Sequence, residues 1–322
     1  MKILIVGGAG YIGSHVVLEA VKAGHEVVVF DDLSSGFKEN IGNSIPFYNG
    51  STLSEKDLSS VMTSHRFDSV IYLAAYKAAG ESMTNPSKYA NNNIVGGINL
   101  IKACIQNNID KFIFSSSAAV YGKPEYNPID ESHPLNPINY YGYTKLVIER
   151  NLQWFSKLEG LRYTALRYFN AAGYDIDQNI MGKEKNPQNL IPIVMEVASG
   201  HQKHLNIYGS DYSTKDGTGV RDYIHVSDLA AVHITSLDYL SQNNKDLLIN
   251  LGTGEGYSVL DVINIAKKIS NNNIDYNFVE RREGDPDTVI AGSEKAKKLI
   301  NWSPIYSDLF TIIDSTWKVY NK

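Results

Sequence analysis

Residues 2–13 read Lys2-Ile3-Leu4-Ile5-Val6-Gly7-Gly8-Ala9-Gly10-Tyr11-Ile12-Gly13. Residues 2–6 are a short apolar run without polar alternation, as a parallel strand covered on both faces requires. The glycines that follow fall in two overlapping registers, Gly8-x-Gly10-x-x-Gly13 and Gly7-x-x-Gly10-x-x-Gly13. Glycine tolerates positive φ and lets the backbone come close to a ligand. Residues 11–23 then read as a helix that stops at Gly24, a residue suited to the position just past a helix end. In this order, the amides of a helix N-terminus face an anion, here a dinucleotide pyrophosphate. A second strand-like run, 26–30, is closed by Asp31, 18 residues past Gly13. An acid at that distance accepts hydrogen bonds from ribose hydroxyls and repels a 2′-phosphate, so the expected cofactor is NAD rather than NADP.

The β and α pattern continues outward from this unit. Strand-like runs recur at 69–75, 111–116 and 163–169, with helical stretches at 86–107 and 141–158. That alternation predicts an α/β fold, a doubly wound Rossmann-type parallel sheet. After Tyr174 the pattern changes. Residues 175–188 are polar and loop-like, 189–200 helical, 205–219 rich in Gly, Ser, Thr and Asp, and 247–251 strand-like. Ser258 with Asp261 three residues on reads as a helix N-cap box. The expected division is a dinucleotide-binding domain over 1–174, with segments near 220–252 returning to it, and a smaller C-terminal α/β lobe for substrate over 175–322.

Composition narrows the function. The chain has 322 residues, 43% hydrophobic and 20% charged, with a formal net charge of −5. That balance argues against a nucleic-acid partner, which needs clustered Lys and Arg. No apolar run reaches the ~18 residues of a membrane helix, and the first apolar segment is too short for a signal peptide. The single cysteine, Cys104, excludes an internal disulfide and makes a reducing cytoplasm the expected setting. The eight histidines form no HxxxH or HxH cluster, so no metal site is expected.

The chemistry lies further along. Tyr141 and Lys145 are four residues apart, neighbours on one helix face, and Ser117 ends an apolar run 24 residues before Tyr141. With 21 tyrosines in the chain, about one or two Tyr/Lys pairs at this spacing arise by chance. The order of glycine motif, Ser117 and then the pair is what carries information. A free phenol ionises near pH 10, and an adjacent ammonium is expected to lower that value. Ser117 can hold an alcohol at a fixed angle to Tyr141, so the trio reads as proton transfer coupled to hydride transfer.

The chain resembles the extended short-chain dehydrogenase/reductases, and among them the UDP-glucose 4-epimerases. The stretches are 7–15 (GGAGYIGSH), 77–82 (KAAGES), 115–122 (SSSAAVYG), 141–145 (YGYTK), 167–170 (RYFN), 189–192 (NLIP), 216–226 (DGTGVRDYIHV), 250–254 (NLGTG) and 281–285 (RREGD). The resemblance implies NAD-dependent inversion at C4 of a UDP-hexose through a transient 4-keto sugar. It implies cofactor contacts at Gly7, Gly10, Tyr11, Ile12, Gly13, Asp31, Ser51, Ala74, Lys77, Asn93, Tyr141, Lys145 and Tyr168. Around the UDP-sugar it implies Ser117, Tyr141, Tyr168, Asn170, Asn189, Leu190, Asn206, Tyr208 and Tyr223. Arg221 and Arg282 are expected on the diphosphate, because guanidinium binds phosphate in a fork. Asp285 is expected on the uridine ribose, and Val289 in the sugar pocket, where a small residue admits an N-acetyl group. A homodimer built through the 86–107 and 141–158 helices is also implied, and Ile94, Ile98, Ile101 and Ile105 supply a helical apolar row for core or interface.

The chain departs from that family at residues 49–52, Asn-Gly-Ser-Thr, where Ser51 replaces an aspartate on the adenine amino group. A second departure is Ala291-Gly292 in place of Ala-Asp, a peripheral change. Three other readings compete. A 4,6-dehydratase needs carboxylates just after the serine, where Ala118 and Ala119 stand. A UDP-glucuronate decarboxylase is disfavoured by the 189–192 and 281–285 stretches. A non-catalytic NAD sensor has no need of Ser117, Tyr141 and Lys145 together.

Overall fold

A computed structural model of the chain describes residues 1–183, 187–282 and 284–322. Glu283 of the 281–285 stretch and residues 184–186 of the polar loop lie outside the described residues. The chain runs β1 (Lys2–Val6), α1 (Tyr11–Lys22), β2 (Glu26–Asp31), β3 (Phe47–Asn49), α2 (Glu55–Ser64), β4 (Ser69–Tyr72), α3 (Ala79–Thr84) and α4 (Pro86–Tyr89). A π-helical stretch, Ala90–Val95, leads to α5 (Gly96–Gln106), β5 (Lys111–Ser117), α6 (Tyr140–Glu159), β6 (Arg162–Tyr168), β7 (Asn170–Ala172), α7 (Leu190–Ala198) and β8 (Leu205–Tyr208). Then come β9 (Val220–Arg221), β10 (Tyr223–His225), α8 (Val226–Asn243), β11 (Leu247–Leu251), β12 (Tyr257–Ser258), α9 (Val259–Ser270), β13 (Tyr276–Val279), β14 (Thr288–Val289), α10 (Glu294–Ile300) and α11 (Leu309–Tyr320).

Two compact units emerge. The first takes in residues 1–122, 134–167 and 230–249, and the second 123–133, 168–229 and 250–322. The main sheet has seven strands in the order β11-β6-β5-β4-β1-β2-β3. The β1–β2, β1–β4, β2–β3 and β4–β5 pairings are parallel. The chain reverses direction across the sheet between β1 and β4, the switch point at which open α/β sheets bind ligands.

The apolar strands explain the layering. Leu4, Val6, Val28, Phe30, Val70, Tyr72, Phe112 and Phe114 point to one face. There they bury Leu58 and Val61 of α2, Leu100, Ile101 and Cys104 of α5, and Ile148 and Leu152 of α6. The alternate residues Ile3, Ile5, Val27, Val29 and Ile71 are buried on the other face, where α1 packs on β1 and β2. Ile101 is in the core, and Ile98 and Ile105 pack against it. These members of the isoleucine row therefore serve the sheet.

Some boundaries differ from the sequence pattern. The strand expected over 69–75 ends at Tyr72, because Leu73 and Ala74 both donate to the Val6 carbonyl and leave the ladder. The helix expected over 86–107 contains the π-helical stretch, whose wide turn carries Asn93. The Ser258–Asp261 capping box is present, with side chain and backbone bonded reciprocally. In the second unit β12-β9-β14 form a small sheet, β13 pairs with β8, and β10 with β7.

Candidate active site

The first unit holds the glycine cradle. Gly7 has φ +84°, and a Cβ there would lie 2.5 Å from the Ala74 nitrogen, so β1 and β4 close on each other at the switch point. A Cβ on Gly13 would lie 2.0 Å from the Gly7 carbonyl oxygen, which seats α1 directly on the end of β1. Gly10 is under less pressure: a Cβ would meet only the Gly7 oxygen, at 3.3 Å. Interior packing therefore demands bare backbone at Gly7 and Gly13, whereas at Gly10 the open side suits a closely approaching ligand. Helix α1 begins without a side-chain cap and without an acid in its first turn, which leaves its positive end for an anion. Tyr11 and Ile12 form that first turn, and the Lys77 ammonium sits 5.8 Å from the centre of the Tyr11 ring.

Asp31 ends β2 with a buried carboxylate that accepts from the amides of Ala9 at 2.9 Å and Leu33 at 2.8 Å. Burial pushes its pKa up, and the two amides oppose that. Ser51 engages its own loop: its hydroxyl accepts from Leu53 and its amide donates to Asp57. Asn93 spends its side-chain amide on protein. Its oxygen accepts from the Tyr76 amide, and its nitrogen donates to the Tyr76 carbonyl and the Thr144 hydroxyl. It thereby holds the backbone next to Lys77. These groups fit a dinucleotide: a cradle without side chains, an uncapped helix start and a carboxylate at the ribose distance.

Ser117, Tyr141 and Lys145 come together in the same unit. Asn139 caps α6 by accepting from Gly142 at 2.8 Å, and Gly160 ends the helix at φ +76°. Gly142 has a second purpose, since a Cβ there would lie 2.3 Å from the Ala119 oxygen. Its absence lets α6 press on the turn after β5, where Ser117 sits. The buried Ser82 of α3 accepts from the Tyr141 amide at 3.0 Å and fixes the helix start. The Tyr141 phenol stands beside Ser117, whose hydroxyl accepts from the Ala119 amide at 3.2 Å. The Lys145 ammonium lies 5.8 Å from the centre of the Tyr141 ring and donates to the Ser115 carbonyl at 2.7 Å.

The electrostatics differ from expectation. Burial raises the Tyr141 phenol, while the neighbouring Ser117 hydroxyl pulls the other way. Burial also brings Lys145 down to about 7, against the pull of Glu149. The ammonium expected to depress the phenol is thus itself costly to keep charged in this dry setting.

The second unit gathers a different set. Arg221 and Tyr223 flank Asp222, whose buried carboxylate accepts from the amides of Thr253, Gly254 and Ala291. With Asp222 turned inward, Arg221 reaches Asp285 at 2.6 Å, and Tyr212 donates to the same carboxylate at 3.0 Å. Arg281 stacks 3.8 Å over the Tyr212 ring and bonds Asp287, while Arg282 stacks 3.9 Å over Tyr208. Val289 pairs with Arg221 across β14 and β9. Tyr223 is buried and its phenol is pushed up to about 12. Asn170 donates to the Asp222 carbonyl at 2.9 Å, and Tyr168 lies two residues before it at the end of β6. Asn189 and Leu190 open α7, and Asn206 lies on β8. Among the described residues no hydrogen bond joins these three to the arginine cluster. Sequence reasoning missed Tyr212, Asp222, Ser82 and Glu149; of these only Glu149, one turn beyond Lys145, left a spacing signal.

The model of the NAD dependent epimerase/dehydratase family matches residues 3–252. The UDP-glucose 4-epimerase of Lacticaseibacillus casei is 43% identical over 318 residues, 98% of this chain and 96% of that protein. The crystal structure of UDP-glucose 4-epimerase from Bifidobacterium longum in complex with NAD+ and UDP superimposes with TM-score 0.94 at 35% identity, over 99% of this chain and 98% of that one. The UDP-Glc/GlcNAc 4-epimerase of Campylobacter jejuni does so with TM-score 0.87 at 40% identity, over 99% and 98%.

The two glycines should separate folding from binding. Gly13→Ala should cost about 1–3 kcal/mol or more of stability through overpacking against the Gly7 carbonyl. Gly10→Ala should cost less than about 1 kcal/mol, the range of a changed helix cap. It should nevertheless weaken NAD at least about tenfold, which is 1.4 kcal/mol. Denaturant melts and calorimetric titration give both numbers, and unchanged NAD affinity in Gly10→Ala would reassign that glycine.

Proposed function

This chain belongs to the NAD dependent epimerase/dehydratase family, and from that premise we propose that it interconverts UDP-glucose and UDP-galactose by inverting C4 through a transient 4-keto sugar. The glycine cradle and Asp31 would hold NAD, which would supply the acceptor for the C4 hydride. Tyr141 takes the proton of the 4-hydroxyl at its phenol oxygen and later returns it. Ser117 holds that hydroxyl at a fixed angle, and Lys145 favours the phenolate. The observation that carries this reading is the half-buried Tyr141 beside Ser117, with Lys145 one helical turn away and its ammonium 5.8 Å from the Tyr141 ring. Net redox change is zero, so NAD would be regenerated within each turnover and would not need to leave.

The second unit supports a UDP site. Arg221 and Arg282 suit the diphosphate, Asp285 the uridine ribose, and Tyr208 and Tyr223 offer ring surfaces. Asn170, Tyr168, Asn189, Leu190 and Asn206 complete the proposed contacts. The proposed setting is the cytoplasm, consistent with one buried, unpaired cysteine.

The purified protein, given UDP-galactose and no added NAD, should form UDP-glucose. Tyr141→Phe keeps the ring and removes the proton carrier, so turnover should fall about 10²–10⁴-fold with UDP binding intact. Near-normal turnover in that variant would move the base elsewhere.

Substrate breadth follows from Val289. Valine leaves room that a tyrosine would fill, and pockets of this kind discriminate by about 1–3 kcal/mol. We expect the chain also to interconvert UDP-GlcNAc and UDP-GalNAc. Val289→Tyr should keep the UDP-galactose rate and lose the UDP-GalNAc rate. A wild type inactive on the N-acetyl sugar would refute this.

Assembly is proposed through α5 and α6 as a homodimer. Val95, Trp154 and Leu158 are exposed beside and on these helices although apolar. Light scattering should give twice the 35.8 kDa chain mass, and Trp154→Glu should return the monomer.

A further inference from the structure

Beneath the trio lies a buried ion pair that the proton transfer described above does not use. Glu149 and Arg167 are 1% and 2% exposed. Arg167 grips Glu149 with a fork, Nε at 2.9 Å from one carboxylate oxygen and Nη2 at 2.5 Å from the other. The third arm of the guanidinium donates to the Tyr121 hydroxyl at 3.0 Å, and its plane lies over the Tyr121 ring. The Ser116 hydroxyl donates to the same Glu149 carboxylate.

Tyr141, Lys145 and Glu149 occupy successive turns of α6, alongside three consecutive serines at the end of β5. Lys145 bonds the Ser115 carbonyl and Glu149 the Ser116 hydroxyl, and Tyr141 stands beside Ser117. A helix of fixed pitch and a strand end of fixed register are thereby locked together at two points, one residue from Ser117. A side chain 1% exposed keeps its charge only with such a full set of partners.

We propose that Glu149, anchored by Arg167, is a positioning residue for the proton transfer: it fixes Ser116, and through it the Ser117 hydroxyl, and holds a negative charge one helical turn from Lys145. This rests on Tyr141 and Lys145 being the proton-transfer pair. Other titratable groups surround the column: Arg167 and Tyr163 on β6, Tyr121 after β5, Tyr72 on β4, and His233 on α8, whose Nε2 lies 3.4 Å from the Ser115 hydroxyl. Glu149 is the group that acts on Lys145 against burial.

The sign of the effect is fixed. Lys145 is charged below its pKa and loses its proton as pH rises through about 7. Removing the Glu149 charge lowers that value further, so the ammonium disappears at lower pH. The test uses the protein as purified, with its bound dinucleotide. Lys145 is followed by NMR of ¹³Cε-labelled lysine, assigned with Lys145→Arg, and turnover of UDP-galactose is measured across the same pH range. In Glu149→Gln both the Lys145 midpoint and the loss of kcat with rising pH should move down by about 1 in pH or more, with KM little changed. Glu149→Asp, which retains the charge, should restore the wild-type midpoint even if less stable. Should Glu149→Gln not fold, the double variant Glu149→Gln/Arg167→Met keeps the site neutral and should show a smaller downward movement, because losing the more distant Arg167 cation offsets part of the loss of the Glu149 charge. An unchanged Lys145 midpoint in the variant read, or a moved midpoint with an unmoved kcat profile, overturns the proposal. A wild type that does not epimerise UDP-galactose would sink the function proposed above, while the NMR midpoint still decides whether Glu149 governs Lys145.

Discussion

The first unit depends on one close approach, the start of α1 seated against the Gly7 carbonyl at the end of β1. No side chain fits between them, so Gly7 and Gly13 have no substitutes of ordinary geometry. The same contact sets the direction of the α1 axis and places its positive end over the β1/β4 switch point. Asp31, at the end of the neighbouring strand, is then held by the Ala9 amide of the glycine turn itself. The glycine turn and the Asp31 carboxylate are one hydrogen-bonded piece, not two features that happen to be near each other.

A comparable constraint organises the second unit, with the opposite chemistry. Asp222 is fully buried and is held by three backbone amides and the Thr253 hydroxyl. It draws together the loops after β11 and β14. Because neighbouring side chains in extended backbone point opposite ways, fixing Asp222 inward fixes Arg221 outward. A charged residue is held in place here by the burial of its neighbour.

The fold was legible in the sequence to the extent that it follows from short-range periodicity. The run at 2–6, the glycine turn and the 11–23 helix each carry their own signal, and the Ser258–Asp261 cap is local by nature. The trio was legible for the same reason, since Tyr141 and Lys145 share one helix. The proton balance was not, because it depends on burial, which no spacing reveals: Lys145 falls to about 7 and the Tyr141 phenol rises. How Asn93 and Gly142 act also escaped. One works through a π-helical turn and the other through a contact with Ala119, and both depend on how distant segments pack. The loop partners of Arg221 were hidden likewise, because Tyr212 and Asp285 are 73 residues apart and meet only in the folded chain.

The pairing of Arg221 with Asp285 has a consequence for selectivity. A bare guanidinium attracts any passing anion, and its affinity falls steeply with salt. Here the cation already has a carboxylate at 2.6 Å, so an incoming anion trades places with a resident one. Binding strength then measures the difference between two ion pairs rather than the full attraction of one. Weak or singly charged competitors gain little from such an exchange, and discrimination arises from the protein's own carboxylate acting as a standing rival.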